Sequence, residues 1–424
     1  MKPTVKIRGL RWYFVIMLCL ASELNYFDRQ TLSVLAQTIQ DDLGLTTRDY
    51  ANITSAFLLS YTVMYAVCGR LVDVLGTRRS FLIFVTGWSF ANLLHAFART
   101  VTQFAACRFL LGATEPASFP AGVRAITEWF PMRERALAVG IFNSGTAVGA
   151  AVAAPLMSWI ALTWHWQYAF VVGGVLGLIW VALWAVLYRA PRLHPWLKPE
   201  ELALIEDGVK SDESPPRAVP ILQLLRQRPV WGCILARVLT DPISYFFVFW
   251  TPKFLQQERG FDLADVGRFG WIPFVALALG NLAGGAIPGW LMACGWSLNR
   301  ARKSVMLAAS CAMPLCLILI VTVPSATVAV ALISVAMFAH AAWANMTLPT
   351  EVFPGHVVGS ITGFAGAFGG VAGILSQQGI GWAVETISYT PVFIVASLMH
   401  LTAFGFVCWL VGELGRIRKL ETAV

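Results

Sequence analysis

Apolar segments long enough to cross a lipid bilayer recur along the whole sequence. Of the 424 residues, 57% are hydrophobic and 13% are charged, whereas soluble domains carry about 25% charged residues. A spanning helix needs about 20 apolar residues, and these segments lack the alternation of membrane strands. The sequence therefore predicts an all-α membrane protein with twelve transmembrane helices in two six-helix bundles. The predicted spans are residues 12–35, 51–73, 80–98, 101–127, 134–160, 166–188, 230–256, 264–293, 304–323, 326–352, 357–383 and 391–413.

One long polar stretch, residues 189–229, separates the first six predicted spans from the last six. It is rich in proline and mixes acidic with basic side chains, with a short amphipathic helix expected at 200–207. The division predicts four parts: an N-terminal six-helix bundle (1–188), a cytoplasmic linker (189–229), a C-terminal six-helix bundle (230–413) and a cytoplasmic tail (414–424). Paired bundles of this kind are the architecture of many secondary transporters.

Basic side chains concentrate in alternate loops, and examples are Arg8, Arg79, Arg135, Lys198 and Lys303. The positive-inside rule then places both termini in the cytoplasm, in a multi-pass protein of a bacterial-type inner membrane. The same distribution accounts for the net charge of +8 without a nucleic-acid partner. The first apolar segment has spanning length and no small-residue cleavage site after it, so we expect it to be retained.

Enzyme and pump signatures are missing from the sequence. It contains no HExxH helix, no phosphate-binding Walker loop and no nucleophile elbow. Its eight cysteines are scattered without a CxxC pair, so neither a metal site nor a disulfide framework is indicated. These absences disfavour an enzyme or an ATP-driven pump, and no cofactor is expected. A membrane-embedded enzyme or a channel is the alternative of a different class.

Side chains of opposite charge stand close together inside three of the predicted spans. The pairs are Asp28 and Arg29, Arg108 and Glu115, and Arg237 and Asp241. A charge at the bilayer centre costs about 2.5–3.5 kcal/mol on insertion scales, so such residues usually mark a substrate or ion pathway. Arg108 and Glu115 share one helix face, whereas Asp28 and Arg29 diverge by about 100°. The alternative for Arg108 and Glu115 is a structural ion pair between helices.

Four polar residues inside the spans each have two alternative roles. Arg237 and Asp241 are four residues apart and can pair within their own helix, which favours a structural or gating role. Glu23 either lines another wall of the cavity or is neutral and hydrogen-bonded. His340 is either a proton carrier or a neutral, hydrogen-bonded histidine.

The loop between the second and third predicted spans resembles the signature loop of the major facilitator superfamily. Its glycines, acid and basic pair are Gly69, Asp73, Gly76, Arg78 and Arg79. Asp73 can face a helix N-terminus or a nearby arginine, and the basic pair fixes the cytoplasmic side, so a gating or structural role is expected for Asp73 and this pair. The equivalent loop of the second half, residues 289–303, has Ala293 where the acid would stand.

Further resemblance extends over nearly the whole chain. Residues 25–32, 108–117 and 128–135 resemble the anion:cation symporter family, and residues 239–253 and 339–354 resemble its bacterial hexuronate transporter branch. The resemblance implies the major facilitator fold and a proton-coupled symporter. Such a carrier imports a monoanionic sugar acid, a hexuronate such as galacturonate or glucuronate, by alternating access around a midplane site.

The same resemblance implies roles for the charged residues. Asp28 and Glu115 would be the proton sites, with Arg108 balancing one of them. Arg29 would hold the substrate carboxylate, since its planar fork suits bidentate recognition. Which acid pairs with which arginine stays open. The expected partners are the sugar-acid anion, protons and the lipid bilayer, and the protein is expected to be a monomer.

A sugar acid also needs hydroxyl partners and an aromatic face. The candidates are Tyr26, Tyr61, Trp343, Asn345 and Gln377. The alternative substrates are aldonates such as galactonate, or other organic anions carried by symport or exchange. In galactonate carriers a Gln and an Asn stand where this chain has Thr146 and Gly363, which argues for the hexuronates.

Overall fold

The computed structural model describes residues 6–206, 221–343 and 347–414, which are almost entirely helical. Within these ranges the only β-type pairing is an isolated bridge between Ile7 and Leu197. Eight of the described helices are long and apolar enough, by length and composition alone, to cross a membrane. The prediction of an all-α membrane protein with twelve spans is confirmed, because one long helix contains two spans and short breaks divide several others.

The helices follow the predicted order. The first six spans comprise Leu10–Val34 with Ala36–Leu43, Thr47–His95 (the second and third), Val101–Thr114 with Glu115–Ala117 and Ser118–Trp129, Met132–Thr163 and Trp166–Leu187. Short helices follow at Pro191–Leu193, Pro199–Glu206 and Ile221–Leu225. The last six spans comprise Arg228–Arg259, Leu263–Phe269 with Ile272–Ala293, Leu298–Thr322, Ala326–Ala342 with Leu348–Val352, Gly355–Thr386, and Thr390–Phe406 with Val407–Val411. The boundaries of the two bundles, the linker and the tail stay predictions.

The second and third spans are joined without a conventional loop. Thr47–His95 contains 49 residues, and a straight helix of that length would measure about 74 Å, more than twice the hydrocarbon thickness. The chain turns at Gly76, whose φ of 76° and ψ of 161° are not helical. A positive φ is readily adopted only by glycine, so this one residue lets the two spans fold against each other.

Hydrogen bonds join the two halves of the chain at one end of the molecule. Ser33 donates to the Val248 carbonyl (2.8 Å), and Tyr50 donates to the Phe249 carbonyl (2.6 Å). The Val248 carbonyl needs an external donor because Pro252, four residues later, has no N–H group to offer. The proline therefore opens an acceptor on the seventh span, and the first span satisfies it.

More hydrogen bonds join the two halves at the same end. The Gln377 side-chain oxygen accepts from Thr54 (3.1 Å) and from the indole of Trp250 (2.7 Å). Lys253, fully buried, donates to the Thr47 hydroxyl at 3.0 Å. We call this region, residues 33–54 with 248–253 and 377–378, the closed end.

The opposite end carries the 69–79 loop and the beginning of the polar stretch, and we call it the basic end. Here Glu201 accepts hydrogen bonds from the backbone N–H groups of Gly9, Leu10 and Arg11 and from the Arg11 guanidinium at 2.7 Å. Because Gly9 offers no side chain to cap the first helix, an acid from residues 199–206 supplies the missing acceptor. The polar stretch is thus docked onto the first span.

Candidate functional site

The centre of the site is an ion pair between the first and fourth spans. The Nη2 and Nε atoms of Arg29 lie 2.6 and 3.1 Å from Glu115 Oε2, and both side chains are buried. Glu115 opens the short 3₁₀ turn Glu115–Ala117 that interrupts the fourth span. Pro116 cannot donate to the preceding helical turn, which accounts for the break. The break leaves Glu115 directed at Arg29, while Glu115 Oε1 has no hydrogen-bond partner among the described residues.

Aromatic rings surround the guanidinium of Arg29. Its Cζ lies 4.6 Å from the ring centroid of Tyr26, 4.9 Å from that of Tyr61 and 5.2 Å from that of Phe57. Tyr61 in turn stacks on Tyr65, with centroids 6.1 Å apart. Ring faces attract a cation, so Arg29 is held in one place. Of the predicted aromatic partners, Tyr26 and Tyr61 are therefore brought to the predicted anchor.

Asp28 lies on a different side of the first span and is fully buried. Its Oδ1 accepts a hydrogen bond from Asn92 (2.8 Å), which also donates to the Phe170 carbonyl (3.2 Å). Gly173 packs against the same carboxylate. Asp28 Oδ2 has no hydrogen-bond partner within the described residues. Asn92, a polar side chain in an apolar span, is a site residue that the sequence reading missed.

Arg108 is 1% exposed, and none of its side-chain nitrogens finds a hydrogen-bond partner in the part of the chain that the structure describes. It lies within electrostatic range of Glu115, Tyr50 and Asp28. A buried charge without direct partners is costly. Any balancing of Asp28 or Glu115 by Arg108 would thus act over more than hydrogen-bond distance, and the role of Arg108 stays a prediction.

The seventh span contributes a second ion pair. Arg237 Nε lies 2.7 Å from Asp241 Oδ2, within one helix, as the spacing of four residues predicts. Asp241 packs directly against Gly369 of the eleventh span. A side-chain carbon built on Gly366 would meet Arg237 Nη2 at 3.6 Å and the Tyr65 ring at 3.5 Å. The pair therefore lies beside Tyr65 of the second span, whose ring stacks on Tyr61 of the Arg29 cluster.

The other described candidates of the second half have hydrogen-bond partners other than Arg29. Trp343 is buried and donates its indole N–H to Ser310 (2.8 Å). His340 is paired: its Nδ1 lies 3.1 Å from Nε2 of the buried His400, a partner that sequence spacing does not reveal. Gln377 belongs to the closed end. Asn345 lies outside the described residues.

Glu23 is half-buried, and its backbone packs against Gly145 and Gly149 of the fifth span. Its side chain therefore starts from a point where the first and fifth spans touch. Both readings of Glu23 stay open.

The signature loop lies at the basic end. Asp73 is exposed and lies 3.5 Å from Arg124 of the fourth span, so it faces an arginine, one of the two alternatives. Arg78 donates to the Ala185 carbonyl (2.6 Å), and Arg79 is exposed. The roles of these residues in gating stay predictions.

An acid near the end of the fourth span recurs near the end of the tenth. Glu128 accepts from Thr77 (2.7 Å) and Arg124 (3.1 Å), and Glu351 pairs with Arg302 at 2.7 Å. Both acids open the same pattern, Glu-x-Phe-Pro, at residues 128–131 and 351–354. The second half thus keeps an ion pair at this end although Ala293 replaces the loop acid.

Known proteins agree with this architecture. The family model of the Major Facilitator Superfamily matches residues 18–377. The hexuronate transporter of Escherichia coli strain K12 is 34% identical over 96% of this chain and 95% of its own length, and the galacturonate transporter of Dickeya chrysanthemi is 35% identical over 67% and 83%. The xylose transporter XylE of E. coli, in an inward open conformation, superposes with a TM-score of 0.73 at 15% identity, over 97% of this chain and 98% of its own.

The family model and these relatives make the chain a multi-pass membrane transporter rather than an enzyme. The chain belongs to the Major Facilitator Superfamily.

Proposed function

We propose that the protein imports a monoanionic sugar acid, with a hexuronate such as galacturonate as the preferred substrate, together with protons. The observation that carries this proposal is the Arg29–Glu115 pair inside its aromatic cage. Arg29 offers a planar donor for a carboxylate, and its present partner is a carboxylate that can itself be protonated. The relatives that transport hexuronate and galacturonate support this substrate class.

Coupling follows from competition for Arg29. While Glu115 is ionised, its Oε2 takes two N–H groups of the guanidinium. A proton on Glu115, with Oε1 as the free oxygen, removes the negative charge and weakens the pair. The substrate carboxylate then replaces Glu115 on Arg29. Return of Arg29 to Glu115 expels the proton and the substrate on the other side of the membrane. Asp28, whose Oδ2 is also free, is the second proton site.

The direction of transport rests on the orientation of the chain. We assign the basic end to the cytoplasm because of the positive-inside rule, with both termini there and the protein in the bacterial-type inner membrane. The hydrogen bonds between the halves at the closed end then make this an inward-facing state. Rocking of residues 1–188 against 230–413, in a monomer, would open the closed end in turn.

Hexuronates rank above aldonates for a local reason. The Thr146 hydroxyl donates a hydrogen bond to the Asn143 carbonyl of its own helix (2.8 Å). Gly363 has no side chain, although the space beside it is open. Neither position offers the amide groups that galactonate carriers use there.

The test is uptake into proteoliposomes containing the purified protein, driven by a proton gradient, with labelled galacturonate. Unlabelled glucuronate should compete strongly, galactonate less, and galactose or glucose not at all, because a neutral sugar leaves Arg29 without a carboxylate. Strong inhibition by neutral hexoses would refute an anion carrier. Inhibition by galactonate alone would make the substrate an aldonate.

A further inference from the structure

We propose that the ion pair Arg237–Asp241 is the part of the substrate site that hydrogen-bonds to the hydroxyl groups of the sugar acid, while Arg29 binds its carboxylate. The inference rests on the proposed function and assigns a substrate contact to a pair whose sequence pattern favours a structural or gating role.

A continuous wall connects the two arginines. The ring of Tyr61 covers Arg29 (4.9 Å) and stacks on Tyr65 (6.1 Å). Tyr65 and Arg237 Nη2 border the same space beside Gly366, at 3.5 and 3.6 Å from an added side-chain carbon. A ligand bound to Arg29 along these tyrosines therefore extends toward Arg237.

The eleventh span has open space beside Gly363, one helical turn before Gly366. Nothing in the described residues lies within 4 Å of a side-chain carbon built on Gly363, and the contacts at Gly366 are no closer than ordinary van der Waals distance. Gly369, in contrast, is filled by the carboxylate of Asp241. The acid is therefore fixed beside Gly369, the wall passes Gly366, and the open space lies beside Gly363.

The chemistry of the pair suits a hydroxyl rather than a second carboxylate. A hydroxyl both donates and accepts, and the pair offers guanidinium N–H groups beside carboxylate oxygens. Its net charge is zero, so it does not require another anion. Hydrogen bonds to charged groups are stronger than those between neutral groups, so such a pair binds the hydroxyl groups of a polyol effectively.

A purely structural role explains the burial of this pair poorly. Arg237 and Asp241 are 9% and 7% exposed, and a buried ion pair is often no more stabilising than apolar residues of the same volume. The chain has another pair at the same spacing, Arg124 and Glu128 (3.1 Å), which is only partly buried at the basic end. It serves as a matched comparison.

The experiment measures ligand binding to the purified full-length protein by calorimetry. One ligand is galacturonate, and the other is cyclohexanecarboxylate, which has a six-membered ring and a carboxylate but no hydroxyl groups. The double variant Arg237→Gln/Asp241→Asn removes both charges together and so leaves no unpaired ion. Its Kd for galacturonate should rise about tenfold or more, with the Kd for cyclohexanecarboxylate and the ligand-free melting temperature nearly unchanged. Arg124→Gln should alter neither Kd, and Arg29→Gln should weaken both ligands.

The outcomes separate this inference from the proposed function. If the wild-type protein binds no hexuronate, the proposed function fails. If it binds galacturonate and the double variant binds equally well, or loses both ligands by the same factor, only the hydroxyl-reading role is overturned. Should the double variant not fold, Arg237→Lys, which keeps the charge balance and removes the planar guanidinium, decides by the same comparison of the two ligands.

Discussion

Removing a single hydroxyl group at the closed end should change how often that end opens. Tyr50 is 2% exposed, and its Oη donates to the Phe249 carbonyl at 2.6 Å, across the boundary between the second and seventh spans. Tyr50→Phe keeps the ring and removes this bond. A buried hydrogen bond contributes about 1 kcal/mol net, and 1.4 kcal/mol corresponds to a tenfold change in an equilibrium constant, so opening should become about fivefold more favourable.

The assay measures the distance between spin labels at Asp41 and Glu258, exposed positions at the closed end on opposite halves of the chain, after replacement of the eight native cysteines. The fraction of long distances should rise in Tyr50→Phe. Tyr168→Phe is the matched control, because Tyr168 is 53% exposed and the same group is lost without a bond between the halves. An unchanged distance distribution in Tyr50→Phe would refute the idea that this bond helps hold the end closed.

Two further predictions concern parts of the structure outside the ion pairs. Burial lowers the pKa of His194, partly opposed by its contact with the Leu187 carbonyl, so docking of residues 190–206 should be firm above about pH 6.5 and weaken as the pH falls below it. As the pH falls, hydrogen exchange of these residues relative to a reference helix should accelerate in the wild type but not in His194→Phe. Equal pH dependence in the two proteins would contradict this prediction. Gly112→Ala should lower the melting temperature, because the added carbon would collide with the Phe57 carbonyl. Gly140→Ala is the control and should leave the melting temperature unchanged, because the space beside Gly140 is open. Equal melting temperatures of the two variants would count against the close packing of the second and fourth spans.

Much of the fold follows from residue types in order. Membrane-length apolar runs predict the twelve spans, and the glycine at position 76 predicts the turn in the 69–79 loop. The spacing of Arg237 and Asp241 predicts their pairing, because both residues lie on one helix. Intrahelical geometry is fixed by the 3.6-residue repeat, so sequence spacing is enough in such cases.

Contacts between helices depend on packing distances that spacing within one helix does not give. The sequence left open which acid Arg29 faces, and the structure pairs it with Glu115 through the break at Pro116. The sequence offers a hydrogen-bonded His340 as one alternative but does not reveal the partner, which is His400. The sequence suggests Gln377 as a substrate residue, whereas its side chain accepts a hydrogen bond from Trp250 at the closed end. Each of these partners is more than fifty residues away along the chain.

Proton-driven accumulation by Glu115→Gln tests the central claim most directly. Glutamine keeps the shape of the side chain but cannot exchange a proton, and Arg29 is freed from a charged competitor. In proteoliposomes with an inward proton gradient, the variant should fail to accumulate galacturonate above the external concentration. Galacturonate counterflow without a gradient should persist and shows that the variant is folded. Concentrative uptake by Glu115→Gln at the wild-type level would contradict the claim that Glu115 couples protons to transport.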